Sequence, residues 1–449
     1  MNASSDLCKE IAGLNELTIE DKKQLQMLLL DFFAAVSAGY KQNSDFNASI
    51  ENVLLSQGGI EEASVFFKKD KYPARIAAFM NAVYCHGAEL DDGNKKAMGH
   101  IGTHVIPAVL ALAEAEKKCE DEVLLAIACG YEVYIRISSA TQPGMVNRCF
   151  HSTGMAGAPA CAVACAKLLG LDAEGIESAM ALACTMASGL LTYSESNQMI
   201  KPINPAKAAE TGVFAARLAQ NKVKGPLNCL EGIHGWFKAV SDRVDESMLV
   251  YEKDRQLLIH DCYFKLYPSC RHTHCGIEAA IKLHSKVDVS KVTQVQVQIY
   301  PNAIELAGQI MYPQNSDETK FSIHYTLACA LLYGEYGIDY MNPLRILPEV
   351  IDIIEKIVLI PDASMENREK GIRGTTVTVV LDEGISVSEY VSVPKGDPEN
   401  PLQKEDIVEK LRMCSKGLIG KREMESLVEY LNDFGGHIGI NSRLLFNCP

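Results

Sequence analysis

Near residue 290 the spacing of apolar residues changes, and that change most limits what this chain can fold into. From about residue 18 to 262, apolar positions recur at helical intervals in one segment after another. Downstream, Val295, Val297 and Ile299 alternate with Gln294, Gln296 and Gln298, a period of two that marks a half-buried strand. Thr375–Leu381 and Ile385–Val393 form a second strand pair around Asp382-Glu383-Gly384, a hairpin turn signal. Helical stretches lie between, notably Cys270–Leu283 and Phe321–Leu332, and helical periodicity returns at Glu405–Met413 and Glu423–Phe434. The expected fold is mainly α with an α+β domain: a large helical domain over 1–262, completed by 402–449, and a smaller inserted α+β domain over 263–401. A chain of 449 residues has ample length for two such cores.

Thr18 followed by Asp21 has the form of a capping box ahead of Leu25, Leu28, Leu29, Phe32 and Phe33, and Gly39 is expected to close that helix. Met155–Gly170 and Ile176–Leu191 are rich in Ala, Gly, Cys and Ser, so they are expected to be central helices whose small side chains permit close backbone approach.

The charge balance, 43 basic against 57 acidic residues for a net −14, lacks the footprint of a general nucleic-acid binder or of a protein held on anionic lipid. An anionic ligand must instead find a local positive site. The segment MNASSDLCKE carries no apolar signal core, and no uninterrupted apolar run of about 18 residues occurs. The fifteen cysteines sit mostly in apolar stretches, which suits buried thiols in a reducing compartment. A cytoplasmic protein is expected. P-loop, Rossmann, nucleophile-elbow and zincin motifs are absent, so chemistry must come from scattered polar residues.

Four constellations qualify. Asn81–Pro107 holds His86, Glu89, Asp91, Asp92, His100 and His104; crowded carboxylates can be raised in pKa for proton transfer, whereas a solvated acidic loop is the plainer expectation. His100 and His104 are four apart, as on a metal-binding helix face, but Gly99 and Gly102 argue for a loop. In Cys149–Gly154, Ser152 or Thr153 is expected to cap a helix whose start favours an anion, beside His151. Lys201–Lys207 places two lysines around Asn204 and Pro205, a helix start with Asn204 as N-cap. Phe264–Cys275 gathers Lys265, Arg271, His272 and His274 at a Pro-led helix start; its Cys/His spacing matches no zinc pattern, and an anion site clamped by Arg271 fits better.

Together these segments resemble the MmgE/PrpD family. The resemblance is carried by N-x-x-x-x-H-x-x-x-L-D-D at Asn81–Asp92, G-H-x-x-x-x-V-I-P-A at Gly99–Ala108 and G-Y-E-V-x-x-R at Gly130–Arg136. It continues in F-H-x-T-G at Phe150–Gly154, K-P-x-x-P-x-x-A-A at Lys201–Ala209, L-E-G at Leu230–Gly232 and Y-P-x-C-R-H-T-H at Tyr267–His274. K-F-S at Lys320–Ser322 and G-x-P-x-N-P-L at Gly396–Leu402 complete the family order. Members include 2-methylcitrate dehydratase, cis-aconitate decarboxylase and an iminodisuccinate epimerase.

The resemblance implies a homodimer with the smaller domain as a lid, an active site in the cleft, and no metal or organic cofactor. It implies active-site roles for His100, His151, Asp91, Lys201 and Lys265, expected to be catalytic, and for Glu89 and Asp92, expected to bind substrate; Lys207, Tyr267, Arg271, His272 and His274 are further substrate-binding candidates from their own segments. Several positions depart from the family pattern: Glu89 stands for a common Asp, Gly93 for Thr, Ile101 for Pro and Asn204 for His, with one extra residue between Asp92 and His100. The expected activity is a lyase on a small polycarboxylate, first a dehydratase of a 2-methylcitrate-like acid. A cis-aconitate decarboxylase and an epimerase of an amino-dicarboxylate are the alternatives.

Overall fold

The computed structural model describes residues 2–195, 199–250, 256–341, 347–367, 371–382, 384–436 and 439–446. Its helices include α1 (Ile19–Gln42), α2 (Ala74–His86), α3 (Gly102–Ala115), α4 (Glu120–Thr141), α5 (Gly157–Leu168), α6 (Ala173–Met186), α7 (Ile203–Gln220), α8 (His274–His284), α9 (Ile323–Tyr333), α10 (Pro348–Lys356), α11 (Lys404–Ser415) and α12 (Lys421–Asn432). The longer strands are β1 (Val292–Ile299), β2 (Ile357–Pro361), β3 (Thr375–Leu381) and β4 (Ser386–Val391). The fold is mainly α with some β. The chain divides into two units, one of Met1–Gly87, Asp91–Tyr263 and Gln403–Pro449, the other of Ala88–Leu90 and Phe264–Leu402.

In the first unit α1 begins at the expected capping box: Asp21 N–H donates to Thr18 Oγ1 at 3.1 Å, and Thr18 N–H donates to Asp21 Oδ2 at 3.0 Å. Gly39 does not end this helix, which runs on to Gln42. A Cβ at Gly39 would fall 1.9 Å from the Tyr84 carbonyl oxygen, so the residue serves the close crossing of α1 and α2. The small-residue helices behave likewise, since a Cβ on Gly212 of α7 would lie 2.2 Å from Cys161 Cβ on α5. Helix α4 is long and apolar enough to cross a membrane, yet 89% of its most apolar stretch is buried inside the protein. It also carries a buried Arg136–Glu132 ion pair at 2.9 Å, so it is a core helix. Helix α11 joins this unit through Lys410, whose ammonium sits 2.5 Å from Asp31 Oδ1 on α1, both buried.

The second unit is a four-stranded sheet ordered β4-β3-β1-β2, with β1 antiparallel to β3 and parallel to β2. Val295, Val297 and Ile299 are buried as the alternation requires, and with Val377 and Val379 they pack in one core with Ile277 and Leu283 of α8 and Leu327 of α9. The expected hairpin is β3–β4, pairing Val380 with Ser386. Gly384 adopts the left-handed backbone such a turn requires, at φ 73°, while Glu383 lies outside the described residues. The Pro268 segment starts no helix; a 3₁₀ turn at Arg271–Thr273 leads into α8 at His274.

Candidate active site

Helix α2 ends at His86, and the acidic segment that follows is not a solvated loop. Glu89, Asp91 and Asp92 are 3%, 1% and 3% exposed. Asp91 Oδ2 lies 2.9 Å from His86 Nδ1 and 3.2 Å from His100 Nδ1, while His100 Nδ1 is also 3.0 Å from the Asp92 carbonyl oxygen. A carboxylate and a carbonyl can only accept, so both rings carry their proton on Nδ1 and keep the lone pair on Nε2. Burial pushes the His86 imidazole down to about 3; Asp91 works against this and the Lys201 charge adds to it. Burial would raise the Asp91 carboxyl, but His86 and His100 outweigh it and hold the group well below the usual carboxylate range.

Asp92 faces the other way. Its Oδ1 accepts from Gly102 N–H at the start of α3 and its Oδ2 from the Tyr131 hydroxyl, both at 2.8 Å. Burial, reinforced by the Asp31 charge, raises it to about 7. Both oxygens are thus committed to protein donors, which makes Asp92 an anchor for the loop that carries His100. His104 does not share a metal-binding face with His100; it is buried on α3, with Nδ1 3.3 Å from Cys161 Sγ. His86, Asp91 and His100 do present donor atoms within 4.8 Å of one another. Their contacts are already those of a hydrogen-bonded array, and a cation there would have to replace both Nδ1 protons.

The second and third constellations meet this array. The expected caps are not formed, because Ser152 and Thr153 have other work. Ser152 Oγ donates to the Met98 carbonyl and Thr153 Oγ1 accepts from His100 N–H at 3.2 Å, so both hold the loop before α3. Asn204 is not an N-cap either; α7 starts at Ile203, and the Asn204 amide nitrogen sits 3.1 Å from His151 Nδ1. Gly154 permits this, since a Cβ there would lie 2.5 Å from the Ser188 carbonyl oxygen and 3.3 Å from Asn204 Cβ. Ring centroids of His86 lie 4.9 Å from His100 and 6.3 Å from His151, so three imidazoles gather. Burial, with His86 and His100 as neighbours, pushes His151 well below the ordinary imidazole range. Lys201 acts electrostatically on His86 from the turn before α7, whereas Lys207 is exposed and engages Glu210 at 2.8 Å.

The fourth constellation lies in the second unit. Lys265 is fully buried and donates to both Glu89 Oε2 and the Glu89 carbonyl at 3.0 Å. Glu89 itself holds a left-handed backbone, φ 53°, uncommon for a non-glycine residue. Arg271 pairs with Asp397, and His272 Nδ1 meets the Tyr300 hydroxyl. His274 Nε2 is 3.3 Å from the Ser269 carbonyl, and its ring meets the Tyr267 ring edge-on at 5.2 Å. Cys275 Sγ donates to the Arg373 carbonyl, so these Cys and His side chains do not converge on one point. Sequence reasoning gave His86 no role and gave Asn204 only that of an N-cap; a histidine five positions before a buried Asp was the available signal for the first.

The chain matches the MmgE/PrpD N-terminal domain over residues 6–248 and the MmgE/PrpD C-terminal domain over residues 267–433. It is 24% identical to the cis-aconitate decarboxylase-like protein oryM of Aspergillus oryzae, across 95% of this chain and 93% of that protein. It is 28% identical to a cis-aconitate decarboxylase of Aspergillus terreus, across 83% and 81% of the two chains. The two domain matches run in order over most of its length, and this chain belongs to the MmgE/PrpD family.

Proposed function

We propose that this protein is a lyase acting on a small polycarboxylate, with His100 as the group that moves the proton. One observation carries the reading: Asp91 and the Asp92 carbonyl hold the proton of His100 on Nδ1 and leave Nε2 as a base. When Nε2 takes a proton from carbon, the imidazolium that forms stands against the ionised Asp91. In a dehydration the C–H bond breaks, its electron pair forms the alkene, and the C–O bond breaks. The imidazolium returns its proton to the departing hydroxyl as water, so one group closes the proton balance. A positioned base contributes typically ~10²–10⁴-fold.

The charge that builds beside the substrate carboxylate needs fixed positive and N–H donors. Lys201 is the proposed cation in the first unit. In the second, Lys265 is proposed to exchange Glu89 for a carboxylate of the substrate, with Arg271, His272, His274 and Tyr267 as further recognition groups. The leading substrate is a hydroxylated tricarboxylate resembling 2-methylcitrate. Decarboxylation of cis-aconitate is the second reading, favoured by the names of the two fungal relatives. A homodimer in the cytoplasm without metal or organic cofactor belongs to the same proposal, and the fourteen free thiols among the described residues suit a reducing compartment.

Proton NMR in D₂O with 2-methylcitrate, cis-aconitate and amino-dicarboxylates tests it. New alkene signals with loss of the hydroxyl-bearing carbon support dehydration, and released CO₂ supports decarboxylation. Deuterium uptake without either indicates an epimerase, and no change with any acid refutes the lyase reading.

A further inference from the structure

The His151 ring is held at Nδ1 by an amide nitrogen, which only donates. Which end of the Asn204 amide faces the ring is settled by Leu190, whose carbonyl oxygen takes a bond from the same NH₂ group at 3.4 Å. The reversed amide would set its oxygen against that carbonyl. Nδ1 of His151 is therefore the acceptor, and in the neutral ring the single proton sits on Nε2. We infer that Asn204 is a positioning residue that locks His151 in the Nε2–H tautomer, making it a fixed hydrogen-bond donor to negative charge on the substrate. This rests on the lyase reading for its consequence but not for its geometry.

The two histidines are then opposite in polarity. His100 shows a lone pair because acceptors hold its Nδ1, and His151 shows a proton because a donor holds its own. His86, His100 and His104 face His151 as possible positive neighbours and Asp91 as a negative one; burial with the first three keeps the ring neutral. A neutral imidazole is a poor acid but a good member of an anion-stabilising set. A histidine in place of Asn204 could donate or accept. An amide held by Leu190 does only the first, so in this chain the polarity has one direction.

Long-range ¹H–¹⁵N correlation spectra of protein labelled at histidine nitrogen, with His151→Gln to assign the signals, read the tautomer without any substrate. The Nε2–H pattern is expected in the wild type, unchanged from pH 6 to 8. Asn204→Asp places an acceptor at Nδ1, so the proton should move to Nδ1 and the ring should begin to titrate in that range. With a substrate that turns over, Asn204→Asp should lower kcat ~10²-fold or more, the usual loss for one oxyanion donor. Asn204→Leu, which merely removes the bond, should lower it less. A wild-type proton on Nδ1, or a folded Asn204→Asp protein with wild-type kcat and tautomer, overturns the inference. Failure of every polycarboxylate to react would sink the lyase reading alone, because the resting-state spectrum stands by itself.

Discussion

Asp91→Asn is the sharpest perturbation of the array, because one oxygen serves two rings. Oδ2 takes Nδ1–H from His86 at 2.9 Å and from His100 at 3.2 Å. The amide offers one acceptor and one donor where the carboxylate offers acceptors only, so a ring that meets the NH₂ end must surrender its Nδ1 proton. If that ring is His100, the lone pair leaves Nε2 and the base is lost. In either amide orientation, the imidazolium formed during turnover loses its counter-ion. At 3.2 Å and an effective dielectric of about 20, that attraction is worth about 5 kcal/mol. The Asp92 carbonyl remains at 3.0 Å and keeps part of the tautomer preference, so the full figure is an upper limit. We expect kcat to fall ~10³-fold with KM changed only a few-fold, the pattern of an interaction made in the transition state. Steady-state rates on the acid found by the NMR screen measure this, with circular dichroism to show the variant folded. A folded Asp91→Asn protein within tenfold of wild-type kcat would refute the assignment of His100.

Asp92, raised to about 7, binds its proton more tightly folded than unfolded, so its contribution to stability is lost as pH rises from 4 through 7. Unfolding free energies from urea titrations across pH 4–8 should fall for the wild type relative to Asp92→Asn, by up to about 4 kcal/mol, and parallel curves would contradict the burial argument. Lys410→Met strands Asp31 without its 2.5 Å partner and should cost about 3–5 kcal/mol in chemical denaturation, most of it recovered in the Asp31→Leu/Lys410→Met double variant. Lys265→Met likewise removes the buried ammonium 3.0 Å from Glu89 Oε2; adding Glu89→Gln should restore the melting temperature while KM for the polycarboxylate stays raised.

What could be read from the sequence was local. The Thr18–Asp21 box, the Val/Gln alternation of β1 and the β3–β4 hairpin each depend on residues a few positions apart, and each formed. What could not be read were side chains claimed by distant partners. Asn204 had every local reason to cap α7, but His151, 53 positions away, takes its amide. Thr153 accepts from His100 N–H over the same separation, and Gly39 is explained by Tyr84 rather than by a helix end. The site segment was legible as a crowd of histidines and acids. The pairing that gives them roles was not, since nothing in the spacing says that Asp91 faces two rings while Asp92 faces Gly102 and Tyr131.

That pairing also fits the proposal that a chain of net charge −14 presents this acidic motif to a polyanion. Each acid of the segment is engaged by different partners: Asp91 by two imidazole N–H groups, Glu89 by the Lys265 ammonium, and Asp92 by the Gly102 N–H and the Tyr131 hydroxyl. The same arrangement weighs against epimerisation. Removing a proton from one face of a carbon and returning it to the other calls for two groups that can each hold a lone pair. With Asn204 donating to Nδ1, His151 has no lone pair free, and the Nε2 lone pairs among the three imidazoles are those of His86 and His100, both held by the same Asp91 oxygen. On the proposed roles, in which His100 is the base and His151 a fixed donor, elimination or the catching of a carbanion is favoured over a two-base exchange, and a single solvent-exchange experiment separates them.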